Sequence, residues 1–231
     1  MKYSILNIKN KIEFFVRNRL SWAPSIPHSH PIPTSDLALH DEISEFLIAI
    51  DLISAVNFNT QSPLVADIGA RNFGFAPAYE NYFNKYNLDP QLFGIEIDAH
   101  RRLQNGRTRA AYGKYFAQRV KNGSYHAMDF LNWKQPLHVA FLLHPFVTVE
   151  PLLSWGLPIQ HLNPYKIFEH AYQLLKSQKG ILILSNPSLE EFNISLAYAT
   201  DIGFTRGNET IWSPGLESVQ KKSRYGIILH T

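Results

Sequence analysis

The 231-residue chain contains no cysteine. That excludes disulfides, thiolate metal sites and a cysteine nucleophile together, while leaving the compartment open. No apolar run approaches the ~20 residues needed to span a bilayer as a helix. Near Met1 the apolar residues are interrupted by Lys9, Lys11 and Glu13, which argues against a signal peptide, so the expected location is the cytoplasm. Charge is sparse: 18% of residues are charged against 45% hydrophobic, a balance that fits a globular chain and not a disordered one. The net charge of +3 is too small a basic excess to imply nucleic acid by itself. No internal repeat is visible. The length suffices for one substantial domain with a short extension.

The extension is residues 1–35 and the domain residues 36–231. Met1–Trp22 spaces Ile5, Ile8, Ile12, Phe15 and Val16 at near-helical intervals, with Lys9, Lys11, Arg17 and Arg19 between them. Two readings follow: an N-terminal helix folded back onto the core, or a basic amphipathic helix touching a membrane surface or an acidic partner. Ala23–Ser35 (APSIPHSHPIPTS) reads as an extended linker. Its His28 and His30 have no third ligand nearby, so a solvated linker is expected and no metal site. Ser35 or Asp36 can cap a helix over Leu37–Ala55, where Leu39, Ile43, Phe46, Leu47 and Ile50 form one apolar stripe.

From Leu64 onward strand-like and helix-like segments alternate. Strands are predicted at Leu64–Ile68, Leu92–Ile97, Ser124–Met128, His138–Leu143 and Gly180–Ser185. Helices are predicted at Pro77–Tyr86, Ala99–Val120, Pro164–Ser177 and Leu189–Ile202. Such alternation implies parallel β-α-β units with helices on both faces of an open sheet. Glu209–Trp212 and Tyr225–His230 have only a loop between them and read as a terminal antiparallel pair. The expected fold is an α/β three-layer sandwich around a mostly parallel seven-stranded sheet.

One segment stands out chemically. Pro63 to Gly74 (PLVADIGARNFG) is an apolar run, an acid and a glycine-bearing turn, and the next apolar run leads to Glu96. A turn at the C-terminal end of a parallel strand presents backbone N–H groups to a ligand, and glycine removes the side chain that would block the approach. An acid on the neighbouring strand accepts hydrogen bonds from ribose hydroxyls. These are the parts of a nucleoside-cofactor site.

Five β-α units closed by an antiparallel pair, with these motifs in order, resemble the class I S-adenosylmethionine-dependent methyltransferases, a Rossmann-like superfamily. The resemblance covers about Leu64 to Thr231. It implies S-adenosyl-L-methionine as cofactor and assigns the turn Asp67-Ile-Gly69-Ala-Arg71-Asn72-Phe-Gly74 to it. It further implies Glu96 (FGIEID) for the ribose and Asp129-Phe130 (HAMDF) for the adenine, while Lys179-Gly180 matches the turn into the fifth strand. The family's turn most often runs acid-x-Gly-x-Gly-x-Gly. Here Arg71 and Phe73 stand at the second and third glycine positions, and Gly74 follows one residue late. Arg71 either adds a charge-assisted bond to the methionine carboxylate or crowds the site.

His144 ends the fourth strand in FLLHPF and is the candidate catalytic base, with a plain structural histidine as the alternative. In amino-methylating members an Asn/Asp-Pro-Pro-aromatic motif stands here. His144-Pro145-Phe146 lacks its amide and second proline, which argues against a nucleic-acid acceptor. Thr148–Pro164 reads as a long loop shaping the acceptor pocket, in which Trp155 and His161 either contact substrate or pack the loop down. The arginines between Arg101 and Arg119 face a phosphate-bearing partner or form a solvated helix face. The expected activity is methyl transfer to a small-molecule, glycan or protein acceptor. A non-catalytic member binding a nucleoside ligand or a protein is the alternative. A nicotinamide oxidoreductase is disfavoured, because the turn does not match G-x-G-x-x-G.

Overall fold

The structure, a computed structural model, describes residues 2–22, 24–27, 34–56, 58–212 and 224–231, with backbone alone at 2 and 34–39. His28 and His30, and the expected caps Ser35 and Asp36, lie outside the described residues or side chains. Five strands, β1 (Leu64–Ile68), β2 (Gln91–Ile95), β3 (Gly123–His126), β4 (Val139–Leu143) and β5 (Ile181–Asn186), pair in parallel. β6 (Thr205–Trp212) and β7 (Arg224–His230) are antiparallel, and β7 lies between β5 and β6. The order is β3-β2-β1-β4-β5-β7-β6. The chain therefore winds outward from β1 in one direction and from β4 in the other. The crossovers diverge between these two strands, and the crevice left at their C-terminal ends is where ligands bind in such sheets.

The central strands are buried on both faces, as near-continuous apolar runs require. Side chains alternate across the sheet: Val65, Phe141 and Ile183 enter one core, Ala66, Leu142 and Leu182 the other. The first core is covered by α2 (Thr34–Ala49) and α3 (Ala76–Asn84), with α4 (Arg109–Ala117) beside them against β3. The second is covered by α6 (Pro164–Lys176) and α7 (Leu189–Ile202). Burying each of the Val, Leu, Ile and Phe side chains among them contributes roughly 1.5–3 kcal/mol.

Several elements differ from expectation. The helix expected over Leu37–Ala55 ends at Ala49, because Asp51 turns left-handed (φ 52°) before a short 3₁₀ segment at Leu52–Ala55. The helix expected over Ala99–Val120 begins only at Arg109, where Thr108 Oγ1 accepts the Ala111 N–H at 3.1 Å. Residues 99–108 are turns and irregular backbone closed by an isolated antiparallel bridge between Arg102 and Thr108, and Arg101 and Arg109 at either side reach Asp98. The expected loop Thr148–Pro164 contains α5 (Val149–Trp155), stopped by left-handed Gly156, and a 3₁₀ turn at Ile159–His161.

The N-terminal helix, α1 (Lys2–Arg19), packs against α5. Buried Asn10 donates to the Leu153 and Leu157 carbonyls at 2.9 and 3.1 Å, supplying partners near the C-terminal end of α5. Leu6 and Phe14 join the apolar cluster of Leu152, Leu153 and Leu157. Among the described residues no helix is long and apolar enough to cross a membrane.

Candidate active site

The turn after β1 keeps the backbone path that its missing glycines would follow. Gly69, Arg71 and Phe73 all have positive φ, at 75°, 52° and 56°. Left-handed backbone costs a non-glycine residue roughly 1–2 kcal/mol, so Arg71 and Phe73 must be held there. Phe73 is held by packing. Its ring is buried over β2 at Gly94, where an added Cβ would stand 2.6 Å from it. Arg71 is held by hydrogen bonds: its N–H donates to Glu96 Oε2 at 2.8 Å, and its carbonyl accepts the Tyr125 hydroxyl at 2.7 Å. The Gly69 and Ala70 N–H groups both donate to the Ile95 carbonyl. A Cβ on Gly69 would meet nothing within 4 Å, so the turn opens onto free space.

That space is a cavity of about 270 Å³ at the C-terminal ends of β1, β2 and β4. Of the residues expected in the site, Gly69, Arg71, Glu96, Asp129, Phe130 and His144 line it. Asp67 does not; it is buried behind the turn. Asn72 and Gly74 also lie outside the lining: Gly74 accepts a hydrogen bond from His40 Nε2 at 2.5 Å. Trp155 and His161 do reach the cavity, through α5 and the 3₁₀ turn that follows.

Glu96 is the anchor of one wall. Its Oε1 accepts the Asp98 N–H at 2.7 Å while Oε2 holds Arg71, and each oxygen keeps a second lone pair. Burial raises its pKa, against the pull of Arg109 and the two N–H donors. Asp129 Oδ1 accepts the Leu131 N–H at 3.0 Å, and Phe130 packs edge-on against His170.

Behind Glu96 lies a cluster that the sequence reading missed. Asp98, itself buried, accepts from Arg17 at 2.7 Å, Arg101 at 2.5 Å and Arg109 at 3.1 Å. Arg17 comes from α1 and also donates to the Gly156 carbonyl at 2.9 Å, tying that helix to the site. The arginines expected on a solvated face or toward a phosphate-bearing partner are thus in part an internal network. The guanidinium carbons of Arg71, Arg101 and Arg109 stand 5.5, 5.9 and 4.8 Å from the Trp155 ring centroid, so this indole is a platform for cations. The acid two residues beyond Glu96 in FGIEID, with an arginine three residues later, was the available signal.

The shifts at Asp67 and His144 bear on the chemistry of the site. Burial, and then repulsion by Glu96, push Asp67 up to about 7. The Tyr79 hydroxyl approaches Asp67 without reaching hydrogen-bond geometry, leaving Asp67 Oδ2 and Tyr79 Oη unpartnered. Burial, with Arg224 and Arg71 nearby, lowers His144 to about 4. His144 also has positive φ (57°), a conformation rare for a non-glycine residue. Its Nε2 and that of His161 are buried on the cavity without partners.

No family model and no curated protein matches the chain. Solved structures do. A Listeria monocytogenes protein described provisionally as a class I S-adenosylmethionine-dependent methyltransferase matches with TM-score 0.57 at 13% identity, covering 87% of this chain and 63% of that one. The chain thus spans under two thirds of that protein's length. Magnesium protoporphyrin IX methyltransferase from Synechocystis, with bound S-adenosylmethionine, matches with TM-score 0.51 at 14% identity over 100% of this chain and 97% of that one. Geranyl diphosphate C-methyltransferase from Streptomyces coelicolor, in complex with Mg2+, geranyl diphosphate and S-adenosyl-L-homocysteine, gives TM-score 0.55 at 11% identity over 83% and 79%. At such identities the likeness concerns architecture: the chain has the fold of the class I S-adenosylmethionine-dependent methyltransferases.

Proposed function

We propose that the chain is an S-adenosylmethionine-dependent methyltransferase acting on a small-molecule acceptor. The observation that carries this reading is Glu96, fixed by the N–H groups of Arg71 and Asp98 on the wall of a cavity onto which Gly69 opens. A carboxylate already oriented by two backbone donors, with lone pairs to spare, suits the two hydroxyls of a ribose. Asp129 and Phe130 would hold the adenine, and the Arg71 guanidinium the methionine carboxylate. When bound, the cofactor's sulfonium supplies an electrophilic methyl group.

The protein's own residues supply position and proton handling. His144 is neutral above about pH 4, so at neutral pH an Nδ1–H tautomer leaves the Nε2 lone pair free. So low a pKa makes it a weak base for an unreacted hydroxyl or amine. It orients the nucleophile as a hydrogen-bond acceptor and takes the proton once bond formation has made that proton acidic. Pro145, Phe146, Leu157 and Ile167 give the cavity apolar walls that exclude water from the reacting atoms. Such a bounded, mostly apolar space suits a small molecule better than a polymer.

Calorimetric titration with S-adenosylhomocysteine tests the reading. The parent chain is expected to bind, and Glu96→Ala and Asp129→Ala each to weaken binding at least about tenfold, the loss of a charge-assisted contact. Absence of binding by the folded parent overturns it.

A further inference from the structure

The large apolar side chains that this protein leaves in solvent are concentrated on one helix. Among the described residues fourteen are exposed; six of them lie on α1, and Leu20 and Trp22 follow just past its end. α1 uses one face, Leu6, Asn10, Phe14 and Arg17, to pack on α5 and Asp98. Its opposite face presents Ile5, Ile8, Ile12 and Phe15 at 66%, 59%, 60% and 59% exposure. Spacings of three and four residues align them in one stripe along a helix about 27 Å long. Packing onto the body of the protein therefore does not explain the stripe.

The flanks of the stripe say what it meets. Lys9, Lys11 and Arg19 border it, with Glu13, 3.7 Å from Lys9, as the one acid along the helix. Arg19 lies over the Phe15 ring at 5.0 Å. Beside them an open groove of about 440 Å³ is lined by Lys11, Phe14, Phe15 and Arg19 with the polar Asn18 and Gln160. Cations around an apolar strip suit a surface that is anionic outside and apolar within. They disfavour a second copy of the chain, since pairing two such faces brings like charges together.

We propose that α1 is an in-plane anchor that seats the protein on an anionic membrane surface. The stripe enters the headgroup–acyl boundary, and Lys9, Lys11 and Arg19 contact the phosphates. The inner face meanwhile holds Arg17 on Asp98 and Phe14 against His161, with ring centroids 4.7 Å apart. The anchored helix thus lies directly over residues of the cavity. This inference rests on α1 alone and stands apart from the proposed activity.

Co-sedimentation of the full chain with vesicles tests it. Vesicles of phosphatidylcholine with phosphatidylglycerol are expected to pellet the protein at low salt, by about tenfold or more over phosphatidylcholine alone, and salt to reverse the excess. Ile8→Glu with Phe15→Glu abolishes pelleting; Lys11→Glu with Arg19→Glu removes only the preference for anionic vesicles. These side chains are exposed, so circular-dichroism melts should match the parent. If the first pair melts lower, Ile5→Ser with Ile12→Ser gives the same reading. The proposal fails if the parent stays in the supernatant with anionic vesicles at low salt. It fails equally if light scattering without lipid shows a dimer that Ile8→Glu with Phe15→Glu splits, for then a second copy covers the face.

Discussion

The Arg71 N–H donates to Glu96 Oε2 at 2.8 Å from a residue held at φ 52°. One bond thus couples the irregular turn after β1 to the acid after β2. It depends on the backbone and not on the arginine side chain, so glycine at 71 retains it. Glycine also removes the left-handed penalty, which alanine keeps. Arg71→Gly is therefore expected to be more stable than Arg71→Ala by about 1 kcal/mol, the reverse of the order inside a helix or strand. Urea unfolding of the two variants measures this. Equal stabilities, or alanine ahead, would mean that the turn relaxes out of the left-handed region.

Much of this arrangement was legible in the sequence because its causes are local. Apolar runs doubly buried in a parallel sheet are recognisable without partners, and β1, β4 and β5 fall within a residue of expectation. Glu96 was legible because it directly follows such a run. What escaped the reading depends on distant charges. Ala99–Val120 has the composition of a helix, but residues 99–108 form turns and irregular backbone, and Arg101, Arg109 and Arg17 meet on the one carboxylate of Asp98. No local pattern joins Arg17 to a carboxylate 81 positions away. Nor does spacing alone show that Asp67 lies behind the turn while its neighbour Gly69 opens onto the cavity.

The Asp98 network yields the largest expected effect on stability. Its carboxylate is almost fully buried and neutralises Arg109, whose side chain is only 6% exposed. Removing the acid leaves that guanidinium with Glu96 as its remaining carboxylate neighbour and leaves Arg17 of α1 only its bond to the Gly156 carbonyl. Breaking a buried pair from one side costs about 3–5 kcal/mol. Asp98→Ala should thus lower the melting temperature by on the order of 10 °C in a chain of this size. Calorimetry decides: a shift of only a degree or two would show the arginines to be as well solvated without Asp98 as with it.

Asp67 gives a pH dependence of unusual sign. Burial first and Glu96 second raise its pKa from 3.8 to about 7 in the folded protein. Between these values the folded state holds a proton that the unfolded chain has released. Its contribution to stability is therefore complete below pH 4 and is lost as pH rises through about 7. His144 runs the other way. Lowered from 6.5 to about 4, it stabilises above pH 6.5 and loses that contribution as pH falls toward 4, so the two partly cancel in the parent. Asp67→Asn isolates the contribution of Asp67, because the amide never ionises. Its stability relative to the parent should grow between pH 4 and 7, by up to roughly 4 kcal/mol, and then level off. Urea unfolding across that range measures the difference. Parallel curves for the two proteins would mean that Asp67 is ionised throughout, and that Tyr79 or ordered water solvates it well enough to offset its burial.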